Sequence, residues 1–270
     1  MTKRFLVLGW VLLLFCGCGS MRRPVAPNGP HFSIITYNIN RGSNPADIAA
    51  VLKANQADLI CLQEADGFER PLRDALSKEF TTIEFRDSNT RVGGEYAFLS
   101  KYKAREVAWI DSDTGWFGAW IMAFETPLGP VQVLNVHLKP PISRRGSWVA
   151  GYFTTRDDRR REIEHFYKFC DPKLPLIVVG DFNDSPNSAS VRYLKRNHLQ
   201  NALPQFDRRT PTWRWPTRLL TLRRRMDHIL YAPQLEATSA RVIPTGPSDH
   251  FPVEAVFVKA PTNDKIGGKR

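Results

Sequence analysis

The sequence feature that most constrains the fold of this chain is a series of short apolar runs, each bounded by polar or turn-forming residues. Runs of this length that are rich in β-branched and aromatic residues predict buried strands. The predicted strands are Phe32–Tyr37, Asp58–Leu62, Thr81–Phe85, Glu95–Leu99, Trp120–Phe124, Val131–Val136, Leu176–Val179, Met226–Tyr231 and Val253–Val258.

Helices are predicted between these strands. One begins at Asn44-Pro45, where a capping side chain precedes a proline at the first helical position. The others are the amphipathic segment Arg70–Phe80 and the strongly charged segment Arg156–Cys170. Strands that alternate with helices predict an α/β protein, in which packed sheets are covered by helices.

The N-terminus has the pattern of an export signal. Lys3 and Arg4 precede an apolar run from Phe5 to Phe15 that is too short to span a bilayer. The run ends in Gly17-Cys18, which resembles the bacterial lipobox, where the cysteine is lipidated and becomes the new N-terminus. We therefore expect a lipoprotein signal over residues 1–17 and lipidation at Cys18. An ordinary signal peptide and an uncleaved anchor are the alternatives.

The remaining boundaries follow from composition. Residues 18–31 contain three prolines and predict an irregular tether. Residues 260–270 are polar and glycine-rich, and we expect a frayed tail. No linker or repeat interrupts residues 32–259, which are predicted to form one domain with a single large core.

The net charge of the chain indicates which kind of partner it binds. The formal net charge is +11 and the pI is near 9.7, which favours a polyanionic partner: nucleic acid, an anionic membrane or a phosphorylated substrate. Solubility alone is the simpler explanation of part of this excess. An apolar content of 42% excludes wholesale disorder.

Two basic segments stand out. On the charged helix, acidic residues partly balance Arg156, Arg159, Arg160 and Arg161, which favours a solvated face. Residues 208–225 instead hold seven arginines and no acid, with Trp213 and Trp215 among them. Arginine forks bind phosphate, and tryptophan rings stack on bases or insert into lipid. We expect this segment to bind substrate through Trp213, Arg214, Trp215, Arg223, Arg224 and Arg225.

Polar side chains follow the ends of several predicted strands, where they would meet at one rim of a sheet. Carboxylate and amide oxygens at such a rim suit Mg²⁺ or Mn²⁺, and phosphoester hydrolysis uses such a cation with a carboxylate that activates water. No paired Cys/His spacing predicts zinc. These residues are Asn38, Asn40, Glu64, His137, Asp181, Asn183, Asp227, Asp249 and His250.

The motifs that contain these residues resemble, in order, those of the endonuclease/exonuclease/phosphatase superfamily. The resemblance extends over Phe32 to Lys259 and implies a four-layer α/β sandwich, with two packed, mainly antiparallel β-sheets flanked by helices. The motifs are Thr36-Tyr37-Asn38-Ile39-Asn40, Gln63-Glu64, Asn135-Val136-His137-Leu138, Gly180-Asp181-Phe182-Asn183, Met226-Asp227-His228-Ile229-Leu230 and Ser248-Asp249-His250-Phe251-Pro252-Val253.

The resemblance also implies a metal site. Glu64 would be the principal Mg²⁺ ligand, with Asn38 close to the metal and the phosphate. Asp249 would be a second acidic group near the metal. Some members carry Asp where this chain has Asn40, and that change removes one negative charge and puts a second metal ligand in doubt.

The catalytic roles implied by the resemblance fall on five residues. Asp181 would orient or deprotonate the attacking water, and Asn183 would fix Asp181 and a phosphoryl oxygen. His250 would contact the phosphoryl oxygen, with its tautomer held by Asp227. His137 would donate to a phosphate or leaving-group oxygen.

Two further expectations concern neighbouring positions. Several nucleases of this superfamily carry an Arg on the strand before the His motif, whereas the stretch Gly115–Trp120 contains none. His228 is expected to be structural.

These features together predict an exported, lipid-anchored phosphoesterase, and the basic segment 208–225 favours nucleic acid as its substrate. We therefore expect a monomeric Mg²⁺-dependent phosphodiesterase that faces the periplasm or exterior. A phospholipid or sphingolipid head-group phosphodiesterase is the first alternative, and a non-catalytic polyanion-binding lipoprotein is the second.

Overall fold

The computed structural model describes residues 21–88, 94–142, 151, 154–218 and 220–261. The predicted signal over residues 1–17, the predicted lipidation site Cys18 and most of the predicted tail lie outside the described residues. Two six-stranded sheets form the centre of the described part.

The strands are β1 (Phe32–Asn38), β2 (Leu59–Gln63), β3 (Thr82–Arg86), β4 (Tyr96–Ser100), β5 (Ala104–Ile110), β6 (Ala119–Thr126), β7 (Gly129–His137), β8 (Leu176–Asp181), β9 (Gln200–Asn201), β10 (Trp213–Pro216), β11 (Thr221–Arg224), β12 (Asp227–Tyr231), β13 (Leu235–Val242) and β14 (Val253–Lys259). The first sheet has the spatial order β13-β14-β1-β2-β4-β3, and the second has the order β5-β6-β7-β8-β12-β9. A separate two-stranded hairpin, β10–β11, lies outside both sheets.

Helices cover the outer face of each sheet. Apolar side chains of α1 (Pro45–Asn55) and α2 (Glu69–Leu76) pack on the first sheet. Those of α3 (Arg156–Tyr167) and α4 (Ala189–Arg196) pack on the second. The short helix α5 (Leu203–Phe206) borders the central core. The predicted four-layer sandwich is therefore confirmed.

The central core lies between the two sheets, where aromatic rings from both sheets meet. Phe98 of the first sheet packs against Trp120 and Phe124 of the second, with ring centroids 5.0 and 5.4 Å apart. Side chains alternate along each strand, so Ile34 of β1 faces this core while Ile35 faces the helices. A strand that is buried on both faces has a continuous run of apolar residues, and for this reason β1 could be predicted from the sequence.

The strand directions bring the polar ends of the strands together. The pairs β1–β2 and β7–β8 are parallel, and the other pairings within the two sheets are antiparallel, so each sheet has one parallel pair at its centre. Asn38 pairs with Gln63 at the end of the first pair, and His137 pairs with Asp181 at the end of the second. Only glycine fits at position 180 beside this edge, because a Cβ there would lie 1.9 Å from the carbonyl oxygen of Val136.

The structure also corrects several boundaries. Edge strands β5 and β13, helix α4 and the β10–β11 hairpin were not predicted, because exposed residues interrupt their apolar patterns. Arg70–Phe80 is helical only to Leu76, and Arg156–Cys170 only to Tyr167. The cap at Asn44 is confirmed, since its Oδ1 accepts a hydrogen bond of 2.9 Å from the Ala46 amide.

The described part of the tether, residues 21–31, has no regular secondary structure, as predicted. Its residues nevertheless contact the domain, and those contacts are described below. Within the described ranges, no helix has the length and apolar character needed to cross a bilayer.

Candidate active site

The chain turns sharply where the central strands end. Asn40, Glu64 and Asn183 follow the ends of β1, β2 and β8, and they adopt positive φ angles of 50°, 55° and 49°. Residues other than glycine rarely adopt this conformation, and such strain concentrates at functional sites. The three turns direct polar side chains toward one edge of the sandwich.

Asn38 links the two sheets at this edge. Its buried Nδ2 donates to Oε1 of Glu64 over 3.1 Å and to Oδ2 of Asp181 over 3.3 Å. The hydroxyl of Ser248 donates to the Asn38 carbonyl over 2.8 Å, so the strand end is held from behind. Arg41 lies at the rim, with its Nε 3.8 Å from Oε2 of Glu64.

Asp249 is held by side chains from two separate segments. Its Oδ1 accepts a hydrogen bond of 3.2 Å from Asn40 Nδ2, and its Oδ2 accepts one of 3.0 Å from the indole N–H of Trp213. The backbone amide of Arg214 donates to the Asp249 carbonyl over 2.9 Å. The hairpin is thereby attached to the loop that carries Asp249.

Asp181 lies at the end of β8 and is almost completely buried. The Asn183 amide donates to its Oδ1 over 2.7 Å, and Asn183 Nδ2 also donates to the Leu138 carbonyl over 2.9 Å. His137 Nε2 lies 3.5 Å from Oδ2 of Asp181. The His137 ring is stacked on Phe117, with centroids 3.7 Å apart and planes at 10°.

His250 and Asp227 form a buried ion pair beside Asp181. His250 Nδ1 is 3.0 Å from both carboxylate oxygens of Asp227, and its Nε2 is 3.6 Å from Oδ2 of Asp181. The hydroxyl of Thr212 accepts a hydrogen bond of 3.1 Å from the Asp227 amide and thereby holds the start of β12. With Nδ1 engaged by Asp227, Nε2 is the ring nitrogen that faces the site.

The pKa values of the two histidines shift in opposite directions. Burial lowers the pKa of His250, but the carboxylates of Asp227 and Asp181 outweigh that effect and raise it to about 10. Burial, together with the positive charges of His250 and Arg41, lowers the pKa of His137 well below its usual value. Near neutral pH the site therefore pairs a charged His250 with a neutral His137.

Asp181 also departs from the behaviour of an ordinary carboxyl group. Burial raises its pKa to about 7, although the positive charge of His250 acts in the opposite direction. Asp227 adds to the increase because like charges close together disfavour ionisation. A carboxyl group with a pKa near 7 is suited to proton transfer at neutral pH.

These groups open into one cavity of about 220 Å³. Carboxylate, imidazole and amide groups form its floor, and apolar side chains form part of its wall. The floor includes Asn40, Glu64, His137, Asp181, Asn183, Asp249 and His250. The wall includes Phe117, Pro140, Ile142, Trp213 and Met226.

The donor atoms at this cavity fit a hard divalent cation. Glu64 and Asp249 both line it and supply carboxylate oxygens, and the side chain of Glu64 is 23% exposed. Ligand atoms of Asp181, Asp227 and His250 also lie within 4.8 Å of one another, but Asp227 is already paired with His250 Nδ1. Oxygen ligands of this kind are those that Mg²⁺ prefers.

The structure separates the predicted substrate-binding residues into two groups. Arg214, Trp215, Arg223 and Arg224 are exposed on the β10–β11 hairpin. The Arg214 guanidinium lies 4.6 Å from the centroid of the Phe251 ring. These side chains are placed at the border of the site, where a long substrate could contact them.

Two other predicted contact residues are less exposed than the rest of the segment. Trp213 is only 7% exposed and its indole nitrogen is bonded to Asp249, so it is a wall of the cavity rather than a free stacking surface. Arg225 is half-buried, and its Nη2 donates to the Asp207 carbonyl over 2.7 Å. One nitrogen of its guanidinium is thus held within the domain.

The expectation of a solvated face on the charged helix is wrong for two residues. Arg159 is fully buried, with its Nε 3.3 Å from Oδ2 of Asp184. Glu162 is also buried, and its Oε2 accepts a hydrogen bond of 2.8 Å from the Lys139 amide. The two helix residues therefore contact the loops after β7 and β8, next to His137 and Asn183.

A signal for this arrangement was present in the sequence. Arg159 and Glu162 share a helical face with Ile163 and Phe166, because residues three, four and seven positions apart lie on the same side. His228 is buried as well, with its Nε2 2.9 Å from the Asp184 carbonyl, in keeping with a structural position.

Comparison with known proteins gives one family and several structures. The model of the endonuclease/exonuclease/phosphatase family matches residues 35–250. No curated protein sequence matches the chain.

The similar solved structures share the fold at low sequence identity. The human Nocturnin catalytic domain with bound sulfate is 19% identical, covers 87% of this chain and 97% of that chain, and has a TM-score of 0.63. An endonuclease/exonuclease/phosphatase from Beutenbergia cavernae is 17% identical over 86% of this chain and 72% of that chain, with a TM-score of 0.64. D. rerio TDP2 complexed with single-strand DNA product is 18% identical over 85% of this chain and 99% of that chain, with a TM-score of 0.62.

Proposed function

The chain belongs to the endonuclease/exonuclease/phosphatase family, whose members are metal-dependent phosphoric ester hydrolases, and from this premise we propose that it is a Mg²⁺-dependent phosphodiesterase acting on nucleic acid. The observation that carries the proposal is that polar side chains from both sheets meet at one cavity. Asn38 and Glu64 lie at strand ends of the first sheet, Asp181 ends β8 of the second sheet, and His250 lies in the loop before β14. Such an arrangement can bind a cation and a phosphoryl group side by side.

Glu64 is the proposed principal metal ligand and Asp249 a second carboxylate at the same cavity, with Asn38 and Asn40 hydrogen-bonded beside them. A bound Mg²⁺ would stabilise the negative charge that develops on the phosphoryl oxygens. The hydrogen bond from Trp213 to Asp249 keeps that carboxylate directed toward the cavity. Mn²⁺, which prefers similar oxygen ligands, is expected to substitute.

Asp181 is the proposed acceptor of the proton from the attacking water. Its carboxylate is fixed by the amide and side chain of Asn183, which supports a defined orientation. The raised pKa, about 7, makes this carboxyl group a stronger base than an exposed aspartate.

His250 is the proposed group that stabilises the phosphoryl oxygen, and Asp227 is its orienting partner. A charged imidazole held by a buried carboxylate presents one N–H toward the cavity. His137, which is neutral, is the proposed donor to a phosphate or leaving-group oxygen. The stacking of Phe117 on its ring supports a fixed orientation.

Nucleic acid is the proposed substrate because of the charge at the border of the site. Arg214, Arg223 and Arg224 are exposed on the hairpin, and the hairpin is bonded to the Asp249 loop. A backbone of regularly spaced phosphates would contact several of these arginines at once. The similarity in fold to D. rerio TDP2, described with a single-strand DNA product, is compatible with this proposal.

A lipid head-group phosphodiester is the second candidate. Its support is the exposure of three apolar side chains on the hairpin and its turn: Trp215 at 49%, Leu220 at 57% and Leu222 at 40%. Apolar side chains beside arginines are also typical of segments that bind anionic membranes.

Incubation of the chain with Mg²⁺ and a panel of substrates tests the proposal. Plasmid DNA, RNA, sphingomyelin vesicles and inositol phosphates should be compared in parallel, with the Asp181→Asn variant as the control. We expect hydrolysis of DNA or RNA, its loss with EDTA and its recovery with Mg²⁺ or Mn²⁺. Hydrolysis of sphingomyelin alone would favour the second candidate.

We further propose that the chain is exported as a monomer and held at a bacterial membrane through lipidated Cys18, facing the periplasm or exterior. The support is the signal pattern of residues 1–17. Fatty-acid labelling should mark the wild-type chain and disappear in Cys18→Ser. Unlabelled wild-type protein in the medium would contradict the anchor.

A further inference from the structure

The first residues that the structure describes, from Met21 onward, are bonded to the surface of the domain. The Arg22 amide donates to the Gln205 carbonyl over 2.8 Å, and its guanidinium forms an ion pair with Glu236. The guanidinium also lies over the Phe206 ring, 5.6 Å from its centroid. An exposed ion pair alone is weak, but here a backbone hydrogen bond and a ring contact act at the same residue.

A second attachment follows three residues later. The Val25 amide donates to the Thr238 carbonyl over 3.0 Å. Thr238 is the bulged residue of the edge strand β13, between the paired residues Ala237 and Ser239. A bulge leaves the extra residue outside the regular ladder, which explains why its carbonyl is available to another segment.

The Arg22 attachment lies toward the end of the sandwich opposite the site, and the Val25 attachment lies nearer the middle of β13. Along β13, Glu236 pairs with Val258, whereas Val242 pairs with Val253, close to His250. A strand rises about 3.3 Å per residue, so the Arg22–Glu236 pair and the site edge are separated by about 20 Å. The hairpin lies at the site end, since Trp213 forms a β-bridge with His250.

The chain between the proposed anchor and the first attachment is short. Arg22 is four positions after Cys18. A fully extended chain spans at most about 3.5 Å per residue, so this connection reaches about 14 Å. Arg22 and Arg23 would then lie close to the lipid head groups, where basic side chains are attracted to anionic lipids.

We propose that the contacts of Arg22 and Val25 orient the domain at the membrane, with the end that contains Glu236 toward the bilayer and the active site away from it. This inference rests on the proposed lipid anchor at Cys18. In this orientation the exposed hairpin faces the solvent, so a polyanion that approaches from solution can reach the site. The orientation therefore favours soluble nucleic acid over lipids of the anchoring bilayer as the substrate.

Energy transfer to labelled lipids tests the orientation. The full lipidated chain, with Cys170→Ser as background, would carry a dye at Gln234→Cys near Glu236 or at Thr221→Cys on the hairpin. After reconstitution into vesicles that contain an acceptor lipid, we expect more efficient transfer from position 234 than from position 221. More efficient transfer from position 221 would overturn the proposal.

Two variants show whether the attachments cause the orientation. Arg22→Ala combined with Val25→Pro removes the guanidinium and one amide donor, and we expect the difference between the two dyes to shrink. A flexible insertion of about 15 residues before Met21, which has a mean reach of about 20 Å, should abolish it. An unchanged difference in both variants would overturn the role of the two attachments.

Failure of the proposed orientation can be distinguished from failure of the proposed lipid anchor and of the proposed nuclease activity. Absence of fatty-acid labelling would remove the anchor and this orientation together, while activity of the soluble domain on DNA would be unaffected. Labelled chains with the reversed dye order would overturn the orientation alone. Failure to cleave DNA in the substrate panel would contradict the proposed substrate without changing the dye result.

Discussion

The floor of the site and the β10–β11 hairpin are neighbours, yet they are held in very different ways. Asp181 is 1% exposed, and hydrogen bonds from Asn38 and Asn183 fix its oxygens. On the hairpin, Trp215 is 49% exposed and Leu222 is 40% exposed. A buried, multiply bonded floor suits chemistry that needs fixed geometry, whereas an exposed hairpin suits contact with varied substrates.

The two regions also use the same residue types for different purposes. Arg159 of helix α3 is buried against Asp184 and supports the floor, while Arg223 and Arg224 are exposed. Arginine content alone therefore does not identify a substrate-binding surface. The burial of each guanidinium distinguishes the supporting arginine from the proposed binding arginines.

The largest expected effect is at the floor. Asp181→Asn should lower kcat by a factor of about 10² or more, because a positioned general base contributes a factor of this size. Single-turnover assays with Mg²⁺ would measure it, and circular dichroism would check the fold. Asp207→Asn, at the base of the hairpin, is the matched control and should leave kcat unchanged. Equal activity of both variants would remove Asp181 from the mechanism.

The next effect concerns the support of the floor. Arg159→Met should lower the free energy of unfolding by about 3 kcal/mol, since it leaves the Asp184 carboxylate buried without its positively charged partner. Arg161, whose side chain is 60% exposed, provides the control, because changes at exposed positions usually have small effects. Urea unfolding of Arg159→Met and Arg161→Met would compare them, and equal stabilities would contradict the structural role of Arg159.

A smaller effect should appear as a pH dependence. Burial raises the pKa of Glu162 to about 7, so between its unfolded value near 4.5 and 7 the folded state binds more protons than the unfolded state. Stability from this group is therefore lost as the pH rises through that interval. In Glu162→Gln, Tm should fall less steeply with pH between 4.5 and 7 than in the wild type. The part of the pH dependence that comes from Asp181 should remain. An unchanged slope would contradict the raised pKa.

The strand ends could be predicted from the sequence because the side chains of the floor follow continuous apolar runs. Asp181 follows Leu176–Val179, and His137 follows Val131–Val136, so the local pattern places both at a sheet edge. The way in which the two sheets combine into one site depends on long-range pairing, which the local pattern does not contain. The family resemblance supplied that part of the prediction.

The hairpin was predicted less accurately for a physical reason. Arg223, Arg224 and Arg225 are consecutive and chemically identical, and the contact of Arg225 with the Asp207 carbonyl depends on tertiary packing. Trp213 and Trp215 are likewise two residues apart and face the same way, with rings 6.4 Å apart, yet only the first is buried. Composition identified the segment, but it could not assign a role to each residue.

The smallest expected effect is on substrate binding by the hairpin. Arg223→Ala combined with Arg224→Ala should raise KM for DNA or RNA several-fold and leave kcat close to the wild-type value. Each lost phosphate contact should also flatten the dependence of log K on log salt concentration by about one unit. Measurements of KM and of DNA binding at several salt concentrations would test both effects.

A small aryl phosphodiester provides the control, because it can occupy the cavity without reaching the exposed arginines. Its hydrolysis should be the same in the wild type and in the double variant. If the hairpin instead binds lipid, Trp215→Ala should weaken binding to anionic vesicles more than the loss of both arginines does, because burial of apolar area would then dominate. Unchanged DNA binding together with lost vesicle binding in Trp215→Ala would identify the hairpin as a lipid-binding element and separate its function from that of the floor.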